Sequence, residues 1–205
     1  MNHFLQIYYN SIRLTPNGTF LPKKDSKEKR PQEPVNIISN IHAPILIPKV
    51  LFDETAKEDY INLNYEIEDT VFIFVEELEK YYLLHYVKEN LKMMLEQDVY
   101  PLQWHHLSGL LYKDLKQSSF YDNTKSWFSL YAEDNFIDFI FEKEGKLQLM
   151  NRFEHTSSYD ILYYILNIIK QFQVLSTNIS ILSYNLQNEE TIDLLAQYTG
   201  QIFNY

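Results

Sequence analysis

Residues 127–172 read WFSLYAEDNFIDFIFEKEGKLQLMNRFEHTSSYDILYYILNIIKQF, and this stretch decides the fold. Three runs in it, Trp127 to Ala132, Phe136 to Phe141 and Lys146 to Phe153, are rich in aromatic and β-branched residues and read as strands. Glu133-Asp134-Asn135 and Glu142-Lys143-Glu144-Gly145 join them, and both suit tight turns, so the three runs predict an antiparallel meander. In its second strand Asp138 alternates outward. Ser157-Ser158-Tyr159-Asp160 then matches a capping box in which Asp stands where Glu or Gln is usual, and it opens a helix to about Phe172. Ile161, Leu162, Ile165, Leu166, Ile168 and Ile169 make that helix apolar nearly all round, which predicts a central element buried between a sheet and something else.

Working outward, Asn178 to Ser183 reads as a returning strand, Asn188 to Gln197 as a second helix ended near Gly200, and Gln201 to Tyr205 as a last strand. The order after Asn123 is therefore βββαβαβ, an α/β pattern with mixed sheets. Upstream, Gln117 to Thr124 is polar and turn-rich and marks a boundary, so we expect two halves, 1–118 and 119–205. The first half mixes strands and helices. Phe4 to Arg13 and the return through Phe20 and Leu21 flank the turn Thr15-Pro16-Asn17-Gly18-Thr19, a hairpin signal. Ile45-Leu46-Ile47 reads as a buried strand and Asp53 to Tyr65 as a helix with an acidic start. Val71 to Val75 and Tyr81 to Val87 form a second hairpin across the acidic turn Glu76 to Lys80. A helix from Lys88 to Gln97, a strand from Tyr100 to Trp104 and a helix from Leu107 to Leu115 complete the half.

Three meander strands followed by helix, strand, helix and strand is the order of a ribonuclease H-like half domain, and actin-like ATPases are built from two such halves. Gly145-Lys146-Leu147-Gln148-Leu149-Met150-Asn151-Arg152-Phe153, leading into Tyr159-Asp160-Ile161-Leu162-Tyr163-Tyr164, resembles an uncharacterised bacterial family of Bacteroidetes type described as having an actin-like ATPase fold. There a G-x-L-x-x-x-N-x-F strand precedes a D-x-L-Y-Y helix. The resemblance implies an actin-like ATPase fold of two ribonuclease H-like βββαβαβ halves, and a relationship to actin-like proteins of pilus and secretion platforms, which recruit partners.

Actin-like ATPases hold phosphates in two hairpin turns that carry Asp followed closely by Gly, with a Gly pair near the adenosine; backbone must approach the oxygens and a carboxylate must orient metal and water. Here the first turn has Gly18 and no acid, and the second, Ala132-Glu133-Asp134-Asn135-Phe136, has acids and no glycine. Gly18, Gly109, Gly145 and Gly200 are the only 4 glycines and none is paired. The implied nucleotide site is degenerate, with Asp134 as the residue that would serve a bound Mg-nucleotide.

Composition narrows the function further. A formal net charge of -10 repels phosphate backbones and argues against nucleic acid as partner. With 0 cysteines, thiolate catalysis, disulfides and Cys-based metal sites are excluded, and the chain suits a reducing compartment. Met1 to Asn10 has no basic stretch before an apolar one and no run approaches the ~20 apolar residues of a membrane span, so a cytoplasmic protein without an integral membrane segment is expected. The segment Pro22 to Pro34 carries Lys23, Lys24, Lys27, Lys29 and Arg30, interleaved with acids and without an aliphatic residue, and reads as a mobile, solvated surface loop.

Catalytic constellations are weak. A ribonuclease H-type nuclease needs converging carboxylates, yet Asp134 sits at a turn, Asp138 on a strand and Asp160 at a helix cap. His105 and His106 are adjacent and diverge on any regular element, so with His85, Asp98 or Asp114 they make a poor metal set and read as structural. No G-x-S-x-G elbow anchors a nucleophile. Tyr81, Tyr82, Tyr86, Tyr163 and Tyr164, among 17 tyrosines, read as half-buried core rings ahead of an interaction surface. We therefore expect no catalytic residue, no metal, no cofactor, and a non-catalytic scaffold that binds protein; the alternative is an ATPase that still binds Mg-nucleotide between the halves.

Overall fold

The computed structural model describes residues 11–20, 34–98, 101–133 and 135–205. The chain forms two compact units, Met1–Leu110 and Leu111–Tyr205. No helix among the described residues is long and apolar enough to cross a membrane. The expected strand before Ser11 and nearly all of the expected loop from Pro22 to Pro34 lie outside the described residues.

In the first unit β1 (Ile12–Thr15) turns through Pro16 and Asn17 into β2 (Gly18–Phe20), the expected hairpin, with Thr15 opposite Gly18. A Cβ at Gly18 would meet nothing within 4 Å, so its φ of 135°, not crowding, demands glycine there. Then come β3 (Val35–Ser39), β4 (Ile45–Pro48), α1 (Lys57–Asn62), β5 (Val71–Leu78), β6 (Tyr81–Lys88), α2 (Glu89–Asp98), β7 (Leu102–His106) and α3 (Leu107–Gln117), which crosses the boundary between units. They make two sheets, ordered β2-β1-β3-β7 and β4-β6-β5. β3 runs parallel to β1 and to β7.

No sequence signal announces β3. A central parallel strand is buried on both faces, as Ile37 and Ile38 are, and so carries no alternation to read. The expected helix from Asp53 to Tyr65 is shorter in reality: one 3-10 turn, Glu54–Ala56, then α1. Asp53 caps that turn by accepting from the Thr55 amide, and the Asn64 side-chain amide donates to the Tyr60 carbonyl, diverting an oxygen that a longer helix would use. The turn expected over Glu76 to Lys80 narrows to Glu79 and Lys80, Glu79 having a φ of 41°, because Glu76 and Glu77 remain in β5. Ile12, Leu14, Ile37, Val87 and Leu95 form one core, and Ile47, Ile61, Leu84 and Tyr86 a second.

The second unit realises the βββαβαβ order. β8 (Ser126–Glu133), β9 (Phe136–Lys143) and β10 (Lys146–Glu154) are the antiparallel meander; α4 (Ser158–Gln171), β11 (Ile179–Tyr184), α5 (Glu189–Ala196) and β12 (Gln201–Asn204) follow. The sheet order is β10-β9-β8-β11-β12, with β11 parallel to both β8 and β12. Glu144 and Gly145, at φ 49° and 75°, form a primed two-residue turn that suits the twist of the strands it joins. A bulge interrupts the pairing of β10 between Leu147 and Leu149.

The Ser157–Asp160 capping box is present with both reciprocal bonds. Helix α4 is not enclosed all round, however. Ile161, Leu162, Ile165, Ile168 and Ile169 are buried on one side against Phe128, Leu130, Phe139 and Phe141, while Tyr159 and Tyr163 stand 65% and 64% exposed. The other face of the sheet is dry as well. Phe120 stacks on Phe203 at 4.1 Å, and residues between Leu111 and Asn123 lie against that face through Asp114, Lys116 and Tyr121.

Candidate functional site

The loci that an actin-like fold would use for phosphate are the two hairpin turns and the carboxyl ends of the parallel strands. At the first turn the Thr15 hydroxyl donates to the Gly18 carbonyl and accepts from the Asn17 amide, so the loop closes on itself. In the second turn Asp134 lies outside the described residues, while Glu133 and Phe136 pair across it.

Beyond the carboxyl ends of β8, β10 and β11 a cavity of about 390 Å³ opens, the place where open α/β sheets take ligands. It faces the first turns of α4 and α5, whose free amides are the natural anion donors of the fold. At each helix start a side chain of the protein itself already accepts from neighbouring amides. The Asp160 carboxylate accepts from the amide and hydroxyl of Thr156 and from those of Ser157, which holds it below the usual carboxylate range and keeps it anionic. Asn188 accepts from the amides of Glu190 and Thr191, and the Ser158 and Thr191 hydroxyls bond each other at 2.6 Å. Glu189 and Glu190 add negative charge to the first turn of α5. None of the described residues that line the cavity is glycine, lysine or arginine. Its His155 Nε2 is a buried atom with no hydrogen-bond partner among the described residues.

The buried carboxylates Asp114, Asp138 and Glu142 of this unit have side-chain partners. Asp138, expected to point outward, is 1% exposed and forms a two-point pair with Arg152 at 3.0 and 3.1 Å. Register explains it: Arg152 lies directly opposite Asp138 across β9 and β10, so both point to the same buried face. Glu142, fully buried, accepts from Lys116 at 2.8 Å and from the Tyr121 hydroxyl. Burial first, then the bond to Glu142, pushes the Tyr121 phenol up. Tyr184 donates to Asp114. Asp138, Glu142 and Asp160 thus have separate partners and do not converge on one point, as a nuclease would require.

The histidines diverge as expected. His105 bonds Asn36 at 3.1 Å, while His106 Nε2 donates to the His42 carbonyl at 2.9 Å and its Nδ1 accepts from the Ser108 amide. Glu76 accepts from the His106 amide, placing a carboxylate at the start of α3, and His85 lies 3.5 Å from it. Among the described residues no group of three or more His, Cys, Asp or Glu could hold a metal ion. The tyrosines split: Tyr86 is buried, Tyr81, Tyr82 and Tyr164 are half-buried, and Tyr163 faces solvent.

Sequence reading passes over Val50, Leu51 and Leu63, which are 91%, 68% and 82% exposed. The available signal was an aliphatic pair after Pro48-Lys49 and an aliphatic residue following the expected helix's buried Ile61, each among acids with no periodic partner.

A meander feeding two strand–helix–strand steps in the order 3-2-1-4-5, in a chain whose other unit mixes parallel and antiparallel strands, defines an α/β protein of the actin-like ATPase fold. Over 100% of its length the chain is similar, with TM-score 0.76 and 18% identity, to 94% of a Bacteroides thetaiotaomicron protein with actin-like ATPase fold and unknown function. The chain belongs to a family described as protein of unknown function, DUF3822, whose model matches residues 19–202. Archaeoglobus fulgidus Pelota matches 80% of this chain and 57% of its own with TM-score 0.28 and 10% identity, too low to bear on the fold. No curated protein matches at a significant level.

Proposed function

We propose that this protein is a non-catalytic, cytoplasmic protein-binding module whose actin-like nucleotide site is degenerate. One observation carries the reading: at the carboxyl-end cavity the amides of Thr156 and Ser157 are bonded to Asp160 and those of Glu190 and Thr191 to Asn188, beside acids and without a lining glycine, lysine or arginine among the described residues. A triphosphate there would displace an internal carboxylate and meet Glu189 and Glu190, with no cation to offset the repulsion. The first hairpin supports the same reading, having Gly18 but no acid to orient a metal. The absence of cysteine suits a reducing compartment, and the net charge of -10 favours protein over nucleic acid as partner.

The test is a thermal melt with and without millimolar Mg-ATP and Mg-ADP. A ligand that binds only the native state at about 100 times its Kd stabilises by about 2.7 kcal/mol, which a melt resolves easily. We expect no shift. A shift that Asp134→Ala abolishes would overturn the proposal and make the chain an actin-like nucleotide binder.

A further inference from the structure

Three exposed aliphatic side chains of the first unit, Val50, Leu51 and Leu63, lie on two neighbouring elements that one tyrosine ties together. Leu51 closes a 3-10 turn, Lys49–Leu51, after β4. Its carbonyl accepts from the Tyr60 hydroxyl at 2.9 Å, and that same hydroxyl accepts from the Asp53 amide, so α1 is tied to the turn. Leu63 follows Tyr60 by three residues, and its amide still bonds the Asp59 carbonyl, so it shares the helix side of the tie. Phe52 is packed beneath, on Tyr60 and Tyr82, which leaves the aliphatic groups outside a filled core rather than waiting to join one.

The sequence around them is acidic, with exposed Lys80 beside the turn, its carbonyl accepting from the Lys49 amide at 2.9 Å. From Lys49 to Asp69 there are seven carboxylates and two lysines, a net of -5 and half of the formal charge of the chain. Both lysines are engaged, Lys49 with Glu77 and Lys57 with Glu54 at 2.7 Å. Glu58, Asp59 and Glu66 are exposed and make no ion pair among the described residues. Bonds from the Thr55 side chain and amide hold Asp53 below the usual carboxylate range, so its charge persists at mildly acid pH.

Resting on the protein-binding reading above, we propose that this surface docks a cationic amphipathic segment of a partner protein, aliphatic residues on Val50, Leu51 and Leu63 and Lys or Arg against the surrounding acids. Exposed aliphatics rimmed by polar groups mark binding surfaces, and here the rim selects the sign of the occupant. An anionic lipid surface or a nucleic acid would be repelled by the same rim. The pattern required of the partner is that of an amphipathic helix, apolar residues at i, i+3, i+4 and i+7 with basic residues between.

The probe is a fluorescent Leu/Lys peptide of about 18 residues patterned as an amphipathic helix, with a Leu/Glu peptide of the same pattern as control. Anisotropy should show binding of the Leu/Lys peptide only, weakening as salt rises from about 0.05 M to 0.5 M. The combined Val50→Ser, Leu51→Ser and Leu63→Ser variant should bind about tenfold more weakly while melting like the parent chain. A second variant, Glu58→Gln, Asp59→Asn and Glu66→Gln, leaves the aliphatics in place and should lose both affinity and salt dependence. The proposal is overturned by no binding, by equal binding of the Leu/Glu peptide, or by unchanged affinity in both variants. Self-association of the parent chain that the serine variant abolishes also overturns it, since a second copy would then own the surface. Peptide failure without a nucleotide shift removes this surface alone; a nucleotide shift with peptide binding intact removes the non-catalytic reading alone.

Discussion

On one side of the five-stranded sheet Phe128, Leu130, Phe139 and Phe141 lie beneath α4 and α5 without exposed surface; on the other, Ser129, Asp138, Glu142 and Ser180 are just as dry. The first side gains stability from area removed from water, roughly 25 cal/mol per Å² of apolar surface. The second buries Trp127, Ile140 and Leu182 as well, and it pairs its two carboxylates, Arg152 for Asp138 and Lys116 and Tyr121 for Glu142, while the Ser129 hydroxyl has no hydrogen-bond partner among the described residues. Equal dryness therefore rests on different physics: the apolar side tolerates changes of shape and punishes charge, whereas the polar side punishes the loss of one partner more than the loss of both.

The sharpest way to break this contrast is to put a charge on the apolar side. Ile165→Asp buries an unpaired carboxylate at a fully buried position, which should cost about 4 kcal/mol or more and abolish the cooperative melt; a retained cooperative transition would sink the assignment of α4 as the packing helix. On the polar side, Arg152→Met leaves Asp138 without its cation and should cost about 3 kcal/mol by urea unfolding, while adding Asp138→Leu should recover most of that. If the double variant is no better than the single, Arg152 acts through packing and not through its charge. Smaller still, Ser157→Ala removes the acceptor for the Asp160 amide at the start of α4 and should cost about 1 kcal/mol.

The finest distinction is one of pH. Because Asp160 is lowered in the folded state, its stabilising contribution is fully present above the unfolded value of about 3.9 and is lost as pH falls through the folded value. The gap in Tm between the parent chain and Asp160→Asn should therefore hold from neutral pH to about pH 5 and close below about pH 4. A gap that widens on acidification would mean the carboxylate is not held as its bonds from Thr156 and Ser157 require.

Much of the second unit was legible because its signals are local. The meander strands, the turn at Glu144-Gly145 and the box at Ser157-Asp160 each depend on residues within a few positions of one another. Asp138 was misplaced because alternation tells which residues share a face, not whether that face is wet. Its company was the missed clue: Ile140 and Met150 share the face, and Arg152 lies opposite. In the first unit β3 escaped because both its faces are buried, and the helix after Asp53 was overread because the acids suited to its start continue past its end at Asn62. Of the candidate site, the capping role of Asp160 could be read, whereas the exposure of Val50, Leu51 and Leu63 could not, since hydrophobicity alone predicts burial.

The bulge between Leu147 and Leu149 bears on how the protein behaves when concentrated. Strand β10 is nine residues long and lies at the margin of the sheet, the kind of border on which foreign strands add and fibrils nucleate. An extra residue there breaks the regular spacing of amides and carbonyls and increases the local twist, so a flat strand from another molecule cannot match it along its length. Deleting Gln148 would straighten that border and turn a protected margin into a template for aggregation.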